Sequence, residues 1–549
     1  MKHSPADSKA SASISDPDHP FYNYTSGRWL YNEYLRLSER RLYFNIQELC
    51  QVVAKSVGQS TDNITCFTKV AEGGSYRIFE ATFQDGLKVI ARLPYPSTVP
   101  RVYGTASEVA TMEFLRLHGV SIPKVFDWNS STSNQVGCEY IIMEKVPGKE
   151  LEHTWYTMTL QERMGVVEKI VDIEKILFAI QLPASGSLYF KSSLGANIKK
   201  VDMPPDFGLG ERDKFCIGPS TELPWWYQKR DELPVNRGPW GNSADLLKAV
   251  GNRELIWLQK YGQRRFPREP LYREFYNYQK VDPQVQINSL TDYLKVAPHI
   301  APEGKELNKP TIRHPDLSPC NIFISESGNI TGIIDWQHTT ALPIFLQAKI
   351  PKHFQNYGDD NSEDFQPPKL PENFDSLTES EKEEEEDLYR RRQLHYFYLG
   401  FTNRNNRLHF RAMRSYDLVV RNRLYEAGGR PWEGDNTSLK AELVHASTYW
   451  PGIATSAMKQ AVFPANYSEV QVAECLDIDA KQKNADAQMQ QLRDFFGVNI
   501  DGWVPAELYD QARDKERNIK HQMLEAVETD KERRELEENW PFQDHEELD

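Results

Sequence analysis

No run of about eighteen apolar residues occurs in the 549-residue chain, so the sequence offers no membrane-spanning helix. Cysteine is scarce. The six present (Cys50, Cys66, Cys138, Cys216, Cys320 and Cys475) are scattered without a CxxC pair, which argues against a disulfide framework and for reduced thiols in an intracellular compartment. Positive charge is in deficit: 65 Lys and Arg face 79 Asp and Glu, a formal net charge of −14. Phosphate backbones need a positive surface, so the balance argues against a general nucleic-acid binder. The opening stretch MKHSPADSKASASISDPDHP has no apolar core and no arginine, and carries Asp7, Asp16 and Asp18. It reads as neither a secretory signal nor a mitochondrial transit peptide, and on that ground alone the expected location is the cytoplasm.

What is present suits a folded, soluble protein, with 39% hydrophobic, 26% charged and 11% aromatic residues. The length exceeds one ordinary core, so two or three packed units of roughly 100–200 residues each are expected. After a leader over 1–40, RLYFNIQELCQVVAKSVG sets Leu42, Ile46, Leu49, Val52, Val53 and Val57 on one helical face. In KVAEGGSYRIFEATFQDGLKVIARLPYP, two β-branched apolar segments flank the turn pair Asp85-Gly86, a hairpin signal. Residues 105–118 predict a helix with Val109, Met112 and Leu115 on one side, and YIIMEKVPG over 140–148 a buried strand. From 159 to 181 an amphipathic pattern points Met164, Val167, Val171, Ile176 and Ile180 inward. Composition then changes. Residues 200–241 are rich in Pro, Gly and Trp, 243–298 read as helical, 360–387 as an acidic loop or helix start, 388–460 as helical again, and 471–549 as a charged helical tail. Strands first, helices later and one late hairpin make a two-lobed α+β architecture: an N-lobe over 41–148, a C-lobe over 149–470 with an insertion at about 200–300, and the tail.

The chemistry concentrates in RHPDLSPCNIFISESGNITGIIDWQH. Strands at 322–325 and 330–334 joined by a four-residue turn form a hairpin whose partner numbers sum to about 655, which puts Asn321 opposite Ile334 and diagonal to Asp335. An amide oxygen and a carboxylate then share one end, two hard oxygen ligands suited to Mg²⁺. Asp316, on the preceding loop, is placed to accept a proton from an attacking hydroxyl while the metal neutralises phosphoryl charge. Singly, these residues shape turns and caps equally well; their convergence favours a phosphoryl-transfer site. His314 reads as a structural residue that holds the loop.

The N-terminal half supplies partners. Gly73 and Gly74, with Ser75, precede a strand where missing side chains let backbone N–H groups approach phosphates, although a Gly-Gly before a hairpin also serves as a plain turn. Arg92 interrupts the apolar VIARL, and Glu108 in the next helix is its expected partner; the alternative is an edge-strand charge beside an exposed glutamate. Glu144 to Val146 either offers backbone groups to an adenine ring or is simply buried strand. Trp225, Trp226, Tyr227 and Trp240 either stack on a ligand or pack.

These segments resemble the aminoglycoside phosphotransferase family, a branch of the protein-kinase-like fold. HPDLSPCN and IIDW are similar to its HxDxxxxN loop and metal motif, and GGSYRIFEATF, VIARLPYP, SEVATMEFL and YIIMEKVPG follow its nucleotide lobe in order over about 65–345. The resemblance implies Asp316 as base, Asn321 and Asp335 as Mg²⁺ ligands, Arg92 at the phosphate-contacting lysine position with Glu108 as its partner, and ATP or GTP as donor. Likeness to a fungal group within the family implies mitochondria. Two departures stand out: arginine replaces the usual lysine at 92, and no Asp-Phe-Gly or Ala-Pro-Glu follows Asp335. The missing activation segment favours a small-molecule hydroxyl acceptor over a protein substrate, and the sequence names no protein partner. A non-catalytic nucleotide-binding or scaffold pseudokinase in mitochondrial maintenance is the alternative.

Overall fold

The computed structural model of the protein describes residues 19–204 and 214–547. The first part of the expected leader and residues 205–213 of the Pro, Gly and Trp-rich stretch lie outside the described residues. Strands β1 Gly27–Trp29, β2 Ile64–Glu72, β3 Tyr76–Phe83, β4 Lys88–Pro94, β5 Val125–Asn129 and β6 Tyr140–Glu144 open the chain. All but β1 join one antiparallel sheet in the order β2-β3-β4-β6-β5. Its centre is the expected hairpin. Thr82 opposes Lys88 across the Asp85-Gly86 turn, where Gly86 takes φ 86, the left-handed conformation that glycine adopts without a Cβ clash. Strand β2, which sequence periodicity did not separate, is kinked by two register shifts. Alternation does the rest. Phe79, Ala81, Phe83, Val89, Ala91 and Leu93 face one side and bury against Leu49 and Val53 of helix Ile46–Ser56, each large apolar side chain contributing about 1.5–3 kcal/mol. The other face, carrying Arg92, looks toward helix Tyr103–Leu117 and the second lobe.

That second lobe is helical, with the small hairpin Ile322–Ile324 and Ile330–Ile333 set into it. Ile322 opposes Ile333 and Phe323 opposes Gly332, the expected register, and Lys149–Glu150 adds a third strand on the outer side. Ile322, Ile324 and Ile333 bury in a core shared with helix Leu160–Ala179 and with the N-lobe residues Val109, Met112 and Ile141. The Leu160–Ala179 helix starts at a Thr159/Glu162 capping box. Of the residues expected inward, Val167, Val171 and Ile180 are buried, joined by Val166, Ile170 and Leu177, whereas Met164 is half-buried and Ile176 is 37% exposed. The buried stripe is set by neighbours on both sides of the helix, which periodicity alone does not weight.

A second core gathers the insertion helices Ser243–Tyr261 and Gln284–Val296 with Tyr416–Gly429 and Ser438–Thr448. The acidic stretch becomes helical earlier than expected. From Glu379 it is the first turns of a helix running to Asn405, started by Thr378 and Glu381 as a capping box. The leader also folds. Residues 19–40 lie along the N-lobe, and β1 pairs antiparallel with Trp503–Pro505 of the tail. The tail helices Glu469–Phe496, Tyr509–Ala526 and Asp530–Glu538 share a small core with Leu30 and Val504. Among the described residues no helix is long and apolar enough to cross a membrane.

Candidate active site

The loop from His314 to Asn321 is locked at both ends. His314 is buried edge-on against Trp336, ring centroids 4.4 Å apart. Its Nδ1 accepts the Asp316 amide at 3.1 Å, so Nε2 carries the proton and donates to the Ile334 carbonyl at 2.8 Å. Burial lowers the imidazole pKa and keeps it neutral, as this one-donor, one-acceptor pattern requires. Asn321 Nδ2 donates to the Asp316 carbonyl at 2.9 Å and to Ser318 Oγ at 3.1 Å, and lies 3.5 Å from Asp316 Oδ2. The Ile334 amide donates to the Asn321 carbonyl at 3.0 Å. The strand end carrying Asp335 is thereby stitched to the loop carrying Asp316.

Asp335 departs from the strand in the left-handed region, φ 67. For a non-glycine residue this costs on the order of 1–3 kcal/mol, strain of the kind that persists where surroundings over-determine it. It brings the carboxylate to the N-lobe. There Arg92 pairs through Nη2 with Asp335 and through Nη1 with Glu108 Oε1 at 2.5 Å. The Tyr76 ring lies 3.8 Å from the guanidinium, and its hydroxyl donates to Glu108 Oε2 at 3.2 Å. Arg92 Nε is buried without a partner. One guanidinium thus serves two carboxylates. Burial raises Glu108 to about 7 despite Arg92 beside it, with Asp335 adding to the rise. Burial also works against Asp335, but Arg92 more than offsets it and holds that carboxyl below its ordinary range. Tyr76 was absent from the sequence reading. The hairpin register could have found it, because Ile78 opposes Arg92 and Tyr76 is the next residue on that face.

The glycine loop is pinned but open outward. Gly73 N–H turns in to the Tyr76 carbonyl at 2.9 Å, so its amide is not available to a ligand as expected. The Ser75 carbonyl accepts from the Tyr95 amide and from Thr98 Oγ1. The Gly74 and Ser75 amides have no partner among the described residues, and a Cβ on Gly74 would meet nothing within 4 Å. At the connector, the Glu144 amide donates to the Lys124 carbonyl at 2.8 Å, while its carboxylate accepts from the Lys124 amide. The Glu144 side chain is exposed at the end of its strand. Val146 is buried against the hairpin, where a Cβ on Gly332 would come within 2.6 Å of it.

Asp316 keeps its side chain 60% exposed, with His353 Nε2 at 3.8 Å from Oδ1. Beside it opens a cavity of about 560 Å³, walled by Glu222, Leu223 and Pro224 from the insertion and by Tyr425 and Glu426 from a late helix. Cavities of about 360 and 350 Å³ elsewhere include none of the site residues. Of the four aromatics held open between stacking and packing, Trp225 and Trp240 pack on each other at 5.1 Å, both fully buried, and Trp226 packs at a tilt against Tyr103, ring centroids 5.3 Å apart. None of the four lines the cavity.

A family profile described as APH, Phosphotransferase enzyme family, matches residues 67–344, just over half of the chain and all of the site. The protein belongs to this phosphotransferase family. Its two-lobed α+β architecture, with a late hairpin in the helical lobe, is the kinase-like form expected from the sequence. Relatives of this phosphotransferase-family chain include a subtelomeric hrmA-associated cluster protein of Aspergillus fumigatus, 29% identical over 87% of this chain and 96% of that one. Altered inheritance of mitochondria protein 9, mitochondrial, of Saccharomyces cerevisiae is 24% identical over 89% of this chain and 87% of its own length. Among solved structures, a streptomycin-ATP-APH(2")-IIa ternary complex superposes loosely, with a TM-score of 0.37 at 12% identity over 73% of this chain and 97% of that one.

Proposed function

We propose that the protein is an ATP- and Mg²⁺-dependent phosphotransferase that phosphorylates a hydroxyl on a small molecule. The observation carrying this reading is the convergence at one cleft of an exposed Asp316, the Asn321 amide fixed to it, and Asp335 delivered to the Arg92 and Glu108 pair. The donor set fits magnesium. Among the described residues no three His, Cys, Asp or Glu side chains converge as a cage, whereas one amide oxygen and one carboxylate suit a cation that keeps water and phosphate oxygens. Asn321 and Asp335 would hold the ion, which would neutralise charge on the transferring phosphoryl group. Asp316 would take the acceptor hydroxyl's proton, and its exposure toward the 560 Å³ cavity leaves it free to do so. The Gly74 and Ser75 amides would face the phosphates, with ATP or GTP as donor. Screening hydroxylated metabolites for phosphate transfer tests the reading. Asp316→Ala should lower turnover by about 10²–10⁴-fold, and equal turnover in that variant would end it.

One observation favours a second reading, a nucleotide-binding scaffold. Both terminal nitrogens of Arg92 are engaged by carboxylates rather than left for phosphate. A thermal shift with nucleotide and Mg²⁺ but no turnover on any acceptor would support it. Names of fungal relatives suggest a mitochondrial location; fractionation of cells expressing the full chain would place it there or in the cytoplasm.

A further inference from the structure

The polar knot at the base of the glycine loop is the most heavily bonded carboxylate in the N-lobe. Glu72 closes β2 and immediately precedes Gly73; its side chain is 1% exposed. Its Oε1 accepts from Lys69 Nζ at 2.8 Å and Arg77 Nε at 3.1 Å. Its Oε2 takes four donors from the strap, residues 19–40: the Thr25 and Ser26 amides at 2.8 and 2.9 Å and their hydroxyls at 3.1 and 2.8 Å. Lys69 also bonds the Pro20 and Asn23 carbonyls, and Arg77 those of Phe21 and Arg40. The strap is in turn held by the far end of the chain. β1 begins one residue after Ser26 and pairs with Trp503–Pro505, Trp503 Nε1 donates to the Tyr24 hydroxyl at 3.0 Å, and Arg36 pairs with Glu547. The tail rests on the insertion through Tyr272 with Asp486 at 2.7 Å and Arg493 with Glu269 at 3.3 Å.

We infer that Glu72 is a positioning residue for the Gly73-Gly74-Ser75 loop, and that the strap and tail hold it in place, so that nucleotide affinity depends on the clamp between the two ends of the chain. This rests on the nucleotide-binding reading above. Four donors converging on one oxygen fix the last residue of β2, and the two glycines that follow have no side chains to fix themselves. The clamp costs backbone order at both ends, and pre-ordering of a binding loop is returned as affinity. Gly27 shows how tight it is: a Cβ there would lie 2.2 Å from Trp503 Nε1 and 2.6 Å from the Val504 carbonyl.

The test titrates full-length protein with ATP and Mg²⁺ by calorimetry and follows amide exchange at 73–75 and at 316–321. Gly27→Ala, which forces the strap off the tail, and the exposed double variant Thr25→Ala with Ser26→Ala should each weaken ATP binding about tenfold, equivalent to about 1.4 kcal/mol. Exchange should speed up at the Gly73 amide, which is bonded to the Tyr76 carbonyl, and stay unchanged at the bonded Ser318 and Asn321 amides. The hydroxyl-preserving swap Thr25→Ser with Ser26→Thr should bind as wild type does. Should wild type bind ATP and the weakened-strap variants bind it equally well, the inference is overturned and the phosphotransferase reading stands. Should wild type bind no ATP, both fall.

Discussion

Of the buried clusters of arginine and glutamate among the described residues, two have opposite charge arithmetic. In the insertion, Arg230 and Arg253 share Glu254, each with a nitrogen 2.6 Å from the carboxylate. The surplus cation is covered by ring faces: the guanidinium carbons lie 4.4 Å from Trp257 and Trp225, and Arg253 also donates to the Gly429 carbonyl. That cluster is complete within the protein. In the cleft, one arginine faces two carboxylates, Glu108 and Asp335, and the neighbouring His314 and His338 are kept neutral by burial. A surplus anion there has no second protein cation among the described residues. Similar residues therefore meet their surplus differently: the insertion cluster covers its extra cation with rings, while in the cleft burial favours a proton on Glu108, and the proposed Mg²⁺ would be a second way to offset the extra carboxylate.

The comparison can be broken at either end. Glu254→Ala should destabilise most, by about 3–5 kcal/mol, because two buried guanidinium groups lose the carboxylate they share; urea unfolding measures it, and a loss under about 1 kcal/mol would place the cluster's stability in the rings. Asp335→Asn should leave unliganded stability within about 1 kcal/mol while abolishing the Mg²⁺-dependent part of nucleotide stabilisation, about 2.7 kcal/mol at a hundredfold excess over Kd. A retained Mg²⁺ response would remove Asp335 from the ligand set. A smaller effect is expected in pH dependence. Glu108 binds its proton more tightly folded than unfolded, so its contribution is complete below about 4.5 and lost as pH rises toward about 7. Asp335 has the opposite sign but acts only below its ordinary 3.8, outside that window. Glu108→Gln should flatten the fall in unfolding midpoint between about pH 5 and pH 7, and an unchanged slope would assign it to other groups. Least of all, Ile176→Ser should move stability by no more than about 0.5 kcal/mol, as the outward-turned residue of its helix.

Part of the site was legible because it is local. The interval from His314 to Asn321 and the turn over 326–329 place Asn321 beside Ile334 through strand pairing alone, within some twenty residues of chain. Arg92 and Glu108 were legible for a related reason: a cation interrupting an apolar strand demands a carboxylate, and the next helix packs behind that strand. The connector was legible only as a strand, because a propensity pattern does not say which amides its neighbours take; the Lys124 carbonyl claims that of Glu144. The acidic run at 379–387 was half legible: its Thr378 and Glu381 capping box is a sequence signal, but the charge run suggested a solvated loop as readily as a helix. Nothing in the Pro, Gly and Trp-rich stretch separated packing from stacking, since buried and ligand-facing aromatics have the same composition.

By itself the sequence determined the hairpin, its register and the residues it brings together, since strand periodicity and turn length act over a few residues and leave one pairing. Only the tertiary structure decided that Arg92 reaches Asp335, 243 positions away, that Tyr76 and Glu108 share the pocket, and that the strap at 19–40 answers to the tail. Those contacts follow from which faces pack together across the whole chain, a choice governed by burial and shape complementarity rather than by any spacing a single segment contains.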